Sequence, residues 1–433
     1  MKKPIFLLAL LILNGCGGCG DTLAPAPPPP PEPTPDPPPE VTDPAPSAFF
    51  IDATGQLPDA RNNDCFDARA FDAEGDGDLD LFLAAFSLNG ARNRLFVNDG
   101  TGSFTDPDSL PPNLGISEHV AVGDFDMDGD LDIVVANVNS DPGDMHEYYL
   151  NTGSGPNFEL APQGLPVAGL SAFVVARDVD TDNDLDLFFS NFGRSDLLLN
   201  DGIGNFNEAP AGNLPGNDPE ITEDSGVGDV NGDGFDDIFL AYRGSASEGQ
   251  GLQNRLWLNN GLGVFTDVTD TNLPTIIDST FDIQLADVDG DGDLDALIAN
   301  ATIGDSNRPL ADSLLINDGN GIFTDETAAR WPQATLSNTY GVLTIDLDRD
   351  GDLDILTAEN LGATSVGTVR AFANDGTGVF SEQTDTLIGT VVGNMVHLEA
   401  ADFDGDGLLD VYFCATRNFG AAGSGRDFLF LAQ

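Results

Sequence analysis

Apolar and polar positions fall into short runs that recur along the chain. "HVAVG" (119–123) and "DIQLA" (282–286) alternate, the two-residue period of a strand with one face buried. "LDIVVAN" (131–137), "LDLFFSN" (185–191) and "LDVYFCA" (409–415) are β-branched or aromatic runs, as in a strand buried on both faces. Between the two kinds of run lies an acidic stretch that occurs seven times. The copies are "DAEGDGDLD" from Asp72, "DFDMDGDLD" from Asp124, "DVDTDNDLD" from Asp178, "DVNGDGFDD" from Asp229, "DVDGDGDLD" from Asp287, "DLDRDGDLD" from Asp346 and "DFDGDGLLD" from Asp402. Their starts lie 51 to 59 residues apart. One unit repeated at near-constant spacing is a repeat architecture.

Later in most units comes a second element: "RLFVNDGTGSF", "YYLNTGSGPNF", "LLLNDGIGNF", "RLWLNNGLGVF", "LLINDGNGIF" and "RAFANDGTGVF". Asn-Asp-Gly between strands predicts a tight hairpin turn. These glycines look superficially like a phosphate loop, but none opens a helix. Each unit therefore supplies four strands, and seven units predict an all-β fold: a seven-bladed β-propeller of four-stranded blades. The last unit stops at "DFLFLAQ" (427–433), one strand short, while "FIDATGQLP" from Phe50 aligns with "FTDVTDTNLP" from Phe265. The N-terminal strand is expected to complete the last blade and close the ring.

Ahead of the repeats, Lys2 and Lys3 precede the apolar run "PIFLLALLILNG", too short to span a bilayer comfortably. It ends in "LNGC", Leu13 to Cys16, which resembles the lipobox of bacterial lipoproteins. That resemblance implies a signal peptide over 1–15 and a lipidated Cys16. The alternative is an ordinary secretory signal cleaved near Gly20. Residues 16–47 form a Pro-rich linker, with thirteen prolines in 24–46. As polyproline II this stretch would reach roughly 70 Å, a semi-rigid spacer. The propeller is expected over 48–433. The expected location is a bacterial cell envelope, on the outer membrane or cell surface, with membrane contact only through the anchor.

The formal charge is −57, from 73 acidic and 16 basic residues. It argues against general nucleic-acid binding, which needs a basic surface. Because 40% of residues are apolar, the acidity does not signal disorder. It is concentrated in the repeat. Two carboxylates about 4 Å apart repel by roughly 1 kcal/mol in water and more near a protein, so a cation among them would explain the crowding.

The pattern Asp-x-Asp-x-Asp-Gly-x-x-Asp suits Ca²⁺, which takes six to eight oxygens in flexible geometry. Side chains would serve at the first, third, fifth and ninth positions and a main-chain carbonyl at the seventh. In loop order the candidate ligands are Asp72, Glu74, Asp76, Asp78 and Asp80; Asp124, Asp126, Asp128, Asp130 and Asp132; and Asp178, Asp180, Asp182, Asp184 and Asp186. They continue with Asp229, Asn231, Asp233, Phe235 and Asp237; Asp287, Asp289, Asp291, Asp293 and Asp295; Asp346, Asp348, Asp350, Asp352 and Asp354; and Asp402, Asp404, Asp406, Leu408 and Asp410. Up to seven Ca²⁺ are expected, which would leave a net charge of −43. The sixth position needs positive φ, hence Gly, with Asn183 replacing it in the third loop. The fourth loop, with Asn231, should be weakest. An EF-hand is disfavoured because strands flank the loop and Leu83 and Val135 occupy its twelfth position. Solvated acidic turns are the bland alternative.

The strand–DxDxDGxxD–strand unit, over 48–433, resembles the FG-GAP and VCBS repeats of bacterial exported proteins, related to the propeller of integrin α subunits. The resemblance implies calcium loops on one face and roles in adhesion or in glycan or protein binding. The expected function is a calcium-binding module for an extracellular glycan or protein, acting as a monomer. The alternative is a polysaccharide lyase or hydrolase working at the central channel mouth.

Three further expectations concern scarce residues. His119 and His397 each stand five residues before an acidic loop, where Asp67, Asp224 and Asp282 stand in other units, so His397, Asp67 and His119 would share one channel level. His146, in an irregular connector, is expected to be solvated. Cys65 and Cys414 should lie on one face of adjacent blades, as a disulfide across the closure or as buried thiols. Cys19 is expected to be unpaired.

Overall fold

The computed structural model describes residues 49–433 except the loop segments 59–63, 87–91, 112–114, 139–145, 168–169, 217–220, 244–250, 302–309, 332–337, 360–366 and 417–425. The expected signal peptide, Cys16, Cys19 and the expected Pro-rich linker lie outside the described residues. Seven four-stranded antiparallel sheets follow one another along the chain. Blade 1, for example, comprises Cys65–Phe71, Asp80–Ala85, Arg94–Asn98 and Phe104–Thr105. The other inner strands are Ser117–Gly123, Ser171–Arg177, Thr222–Gly228, Thr280–Ala286, Thr339–Ile345 and Met395–Ala401, opening blades 2 to 7. Each acidic loop joins an inner strand to a second strand buried at every position, such as Asp132–Asn137. The apolar core lies between blades. One cluster joins Phe71, Phe82 and Leu95 of blade 1 to Val120, Ile133, Tyr149 and Phe158 of blade 2. Each such side chain contributes roughly 1.5–3 kcal/mol on burial.

Closure follows the expected route. Phe50–Asp52 pairs antiparallel with Phe428–Ala432 as the fourth strand of blade 7. A disulfide joins Cys65 of blade 1 to Cys414 of blade 7, Cα–Cα 5.3 Å, spanning 349 residues. It occupies a place where other junctions use hydrogen bonds. The first inner residue Ser171 contacts His146 of blade 2 at 3.0 Å, Thr280 accepts from Asn254 at 2.9 Å, and Thr339 donates to Asp312 at 2.8 Å. His146 is therefore not solvated, contrary to expectation. It is 5% exposed, stacks on Phe189, and its Nδ1 accepts from the Asn137 N–H. The connector that carries it ends in a strand, which the sequence pattern around "DMHEYY" hides.

Every inner strand shifts register between its first and third residues. A bulge of this kind sets two residues against one on the partner strand and re-aims the extra side chain. Second-position residues can therefore reach the propeller axis as well as third-position ones. This shapes the centre of the ring.

Candidate metal loops and central cavity

The seven acidic loops lie at one end of the propeller and share one local geometry. The first aspartate organises each loop by accepting main-chain N–H bonds. Asp72 Oδ1 accepts from Gly75 at 2.7 Å and Asp76 at 3.1 Å, and its Oδ2 accepts from Gly77 at 2.9 Å. Asp229, Asp287 and their counterparts repeat the pattern, as in Gly234 to Asp229 at 2.7 Å and Gly407 to Asp402 at 2.9 Å. The sixth residue has positive φ in every loop, including Asn183 at 73°. So does the fourth, which the sequence reading did not anticipate: Met127, Thr181 and Arg349 stand there at 58–65°.

The ninth aspartate is the most buried member. Asp80 is 1% exposed; its Oδ2 accepts from the Ala73 N–H at 2.9 Å and its Oδ1 from the Asn98 N–H at 2.8 Å. Burial outweighs those bonds and pushes Asp80, Asp354 and Asp410 up to about 6, and Asp132, Asp186, Asp237 and Asp295 up to about 7. Third-position carboxyls are raised as well, first by burial and then by the neighbouring fifth aspartate, as at Asp126 and Asp348. A dication would relieve both effects.

Convergence of the oxygens is uneven. Ligand atoms lie within 4.8 Å of one another for Asp124, Asp126 and Asp128; for Asp178, Asp180 and Asp186; for Asp287, Asp289 and Asp291; for Asp346, Asp348 and Asp354; and for Asp402, Asp404 and Asp410. Loops 1 and 4 form no such group among the described residues. They are the loops with Glu74 and Asn231 at the third position. Asn231 Nδ2 instead donates to Asp237 Oδ2 at 3.2 Å. All-oxygen donor sets of this kind fit a hard cation such as Ca²⁺ or Mg²⁺.

Two features escaped the sequence reading. The Asn-Asp-Gly segment is not a two-residue turn: Asp99 N–H bonds Ser103 O at 3.2 Å, enclosing Gly100 and Gly102 at φ 73° and 72°. The Asp78 side chain sits against that loop, and a Cβ at Gly100 would lie 2.5 Å from its Oδ2. Asp78, expected only to offer a carbonyl, thus packs its carboxylate on the neighbouring turn. The asparagine before each turn also clips successive acidic loops together. Asn98, Asn151, Asn200, Asn259, Asn317 and Asn374 donate Nδ2 to the carbonyls of Phe403, Ala73, Phe125, Val179, Val230 and Val288, each in the preceding blade, at 2.7–3.0 Å. At the blade 6–7 junction Ala432 occupies the equivalent place, and Arg349 reaches the Gln433 carbonyl instead.

The inner strands enclose a cavity of about 400 Å³ on the axis. His397, Asp67 and His119 do share a level. Asp67 Oδ1 lies 3.1 Å from His397 Nε2, and Oδ2 lies 3.5 Å from His119 Nε2. Arg69 completes the group, 3.2 Å from His397 Nε2, 2.8 Å from His119 Nε2 and 3.3 Å from Glu399 Oε2. A guanidinium only donates, so both Nε2 atoms accept. Burial acts to raise Asp67, but the Arg69 guanidinium, helped by the Val120 N–H, outweighs it and holds the carboxyl low. Burial pushes His119 down to about 3.

This level is an interior floor rather than a mouth. Second-position residues close the end away from the acidic loops. Glu118, Glu223, Phe281 and Tyr340 are all buried there, around an Arg243 that pairs with Glu223 and lies 5.8 Å over the Phe281 ring. Burial raises Glu118 to about 8 despite Arg243.

The FG-GAP-like repeat model matches residues 72–135, 178–240, 229–298, 301–357 and 359–413, more than half of the chain. The chain belongs to the FG-GAP-like repeat family. These matches take in the acidic loops together with the strands around them. Among curated proteins, this FG-GAP-like chain is similar to cartilage acidic protein 1 of Xenopus tropicalis, 30% identical over 187 residues. The match covers 38% of this chain and 28% of that protein, so the chain spans about a quarter of that relative's length. Among solved structures, BBS1N from its complex with ARL6DN, soaked with mercury, is similar in fold at TM-score 0.52 and 12% identity, covering 89% of this chain and 97% of that one. An Agrocybe aegerita lectin, described as recognising non-reducing terminal N-acetylglucosamine, aligns at TM-score 0.46 and 17% identity over 89% and 99% of the two chains.

Proposed function

We propose that this FG-GAP-like propeller is a calcium-loaded binding module of a bacterial cell envelope, held to a membrane by lipidated Cys16 and its Pro-rich linker, with an extracellular glycan or protein as ligand. The observation that carries this reading is the convergence of carboxylates in five loops around first-position aspartates already fixed by main-chain N–H bonds. In each loop the first, third, fifth and ninth side chains would hold the ion, together with the seventh carbonyl. Bound Ca²⁺ supplies the positive charge that lets these carboxylates stay ionised in contact. The ninth aspartate keeps lone pairs for an ion although both its oxygens accept N–H bonds.

Rigid display is the mechanism. The asparagine clips make each loop a support for the next, so ions fixed at one end stiffen the whole ring, and the remaining loops and blade rims are free to bind. The chain also enters the propeller at the acidic-loop end. Phe50 pairs with Ala432, whose N–H bonds the ninth aspartate Asp410 at 2.7 Å.

The enzymatic alternative finds less support. Both histidines of the floor spend Nε2 on Arg69, which leaves neither imidazole presenting that nitrogen to a substrate as a base. The deciding experiment is a glycan-array and envelope-protein pulldown with the full chain, in calcium and in chelator. Calcium-dependent capture of a defined ligand supports the module. Turnover of an acidic polysaccharide, lost in His119→Ala, would replace it with the enzyme.

A further inference from the structure

We infer that the central cavity is a binding site for a small organic cation, with a primary ammonium group held between Asp224 and Asp282 and an aliphatic body along the channel wall. The inference is independent of the calcium loops and of the module's outer ligand.

At about 400 Å³ the cavity falls within the 300–1,000 Å³ range of small-molecule sites. Its walls carry Val122, Val175, Val227, Leu285 and Leu343, each part-exposed to the cavity. Its floor is electrically lopsided. On the side of blades 7, 1 and 2, Arg69 is committed: it pairs with Glu399 and with Asp67 and donates to both histidines. On the side of blades 4 and 5, Asp224 and Asp282 line the cavity; among the described residues neither forms an ion pair, although the charge of Arg69 acts on both and that of His397 on Asp282.

Each of those two carboxylates has spent one oxygen on the protein. Asp224 Oδ1 accepts from the Ser225 N–H, and Asp282 Oδ2 accepts from the Val342 N–H at 2.8 Å. Asp224 Oδ2 and Asp282 Oδ1 have no hydrogen-bond partner among the described residues. Burial and mutual repulsion raise Asp224 well above the usual carboxylate range, and burial raises Asp282. His119, 7% exposed, also lines the cavity, and its ring is already held by Arg69 and by a hydrogen bond with the Val174 main chain.

Two acceptor oxygens from adjacent blades, beside apolar walls, match an alkylammonium, whose N–H groups need acceptors and whose chain needs cover. They do not match a divalent metal. Asp224 and Asp282 gain no third ligand within 4.8 Å among the described residues, and calcium requires six or more oxygens. The ligand chemistry is therefore an amine, not an ion of the loop type.

The test is calorimetric titration of the calcium-saturated full chain with n-pentylamine and with its neutral counterpart pentan-1-ol. The amine should bind saturably at one site per chain and the alcohol at least about tenfold more weakly, as expected for losing a charge-assisted hydrogen bond. Asp224→Asn and Asp282→Asn should each lower amine affinity by about tenfold or more while leaving bound calcium unchanged. Leu343→Trp, which sets an indole on the cavity wall and leaves both carboxylates in the chain, should abolish binding. Equal binding of amine and alcohol, amine binding unaltered in all three variants, or no saturable binding at millimolar amine would overturn the inference. In that last case the two carboxylates simply share a proton.

Discussion

The side-chain amide of Asn98 donates to the main-chain carbonyl of Phe403 at 2.7 Å, across 305 residues of sequence and across the junction where the ring closes. The same amide reaches Leu79 O at 3.0 Å, and the Asn98 N–H bonds the ninth aspartate of its own loop. One residue thus ties two acidic loops and a turn together. Asn98→Ala removes both side-chain donors and leaves buried carbonyls short of partners, at a cost of about 1–3 kcal/mol. Urea denaturation of calcium-loaded protein should show that loss. A midpoint equal to wild type would mean that the clip does not couple the blades.

The third loop position should sort the sites by affinity. Loops 1 and 4, with Glu74 and Asn231, lack the converged carboxylates of the other five. A calcium titration is expected to show five tighter sites and two weaker ones, and Asn231→Asp should move one site from the weak class to the tight class. Seven equivalent sites, or no change in that variant, would show that loop convergence does not set affinity.

Stability of the metal-free chain should fall as pH rises. The ninth aspartates have folded-state values of about 6 to 7, above their unfolded values, so the fold favours their protonated forms. That favour is complete below about pH 4 and is lost progressively up to about pH 7. His119 and His146, pushed down to about 3 and about 4, act in the opposite direction below about pH 6.5, but they are two groups against seven. Denaturant midpoints in chelator should therefore decrease between pH 5 and pH 7.5. In excess calcium the decrease should vanish, because the ion replaces the protons. Midpoints rising over this interval in chelator would contradict the burial of these carboxyls.

The blade count and the closing strand were legible because each rests on local pattern: period-two strands, a repeated acidic loop, and a terminal unit one strand short. The convergence of carboxylates in five of the acidic loops was legible for the same reason, since the repeat sets which residues share a loop. The Cys65–Cys414 disulfide was left open between a bond and buried thiols, because its geometry depends on how the first and last blades meet. What stayed hidden is contact between units. Nothing in "VNDG" says that its asparagine reaches a carbonyl one blade away, because the bond depends on ring packing. The bulge at the start of every inner strand is likewise invisible in the residues. It aims Glu118, Glu223, Phe281 and Tyr340 at the axis and turns an expected open mouth into a closed floor. His146 was misjudged because its partner Ser171 belongs to the next blade.

Calcium dependence of thermal unfolding tests the central claim most directly, with the full chain scanned by calorimetry in excess Ca²⁺ and in excess chelator. Ions that bind only the folded ring stabilise it by mass action, each by about 2.7 kcal/mol at a hundredfold excess over its Kd. The expected result is a melting temperature many degrees higher in calcium, with five to seven calcium ions per chain by elemental analysis. Superimposable melts, with no metal retained, would contradict it.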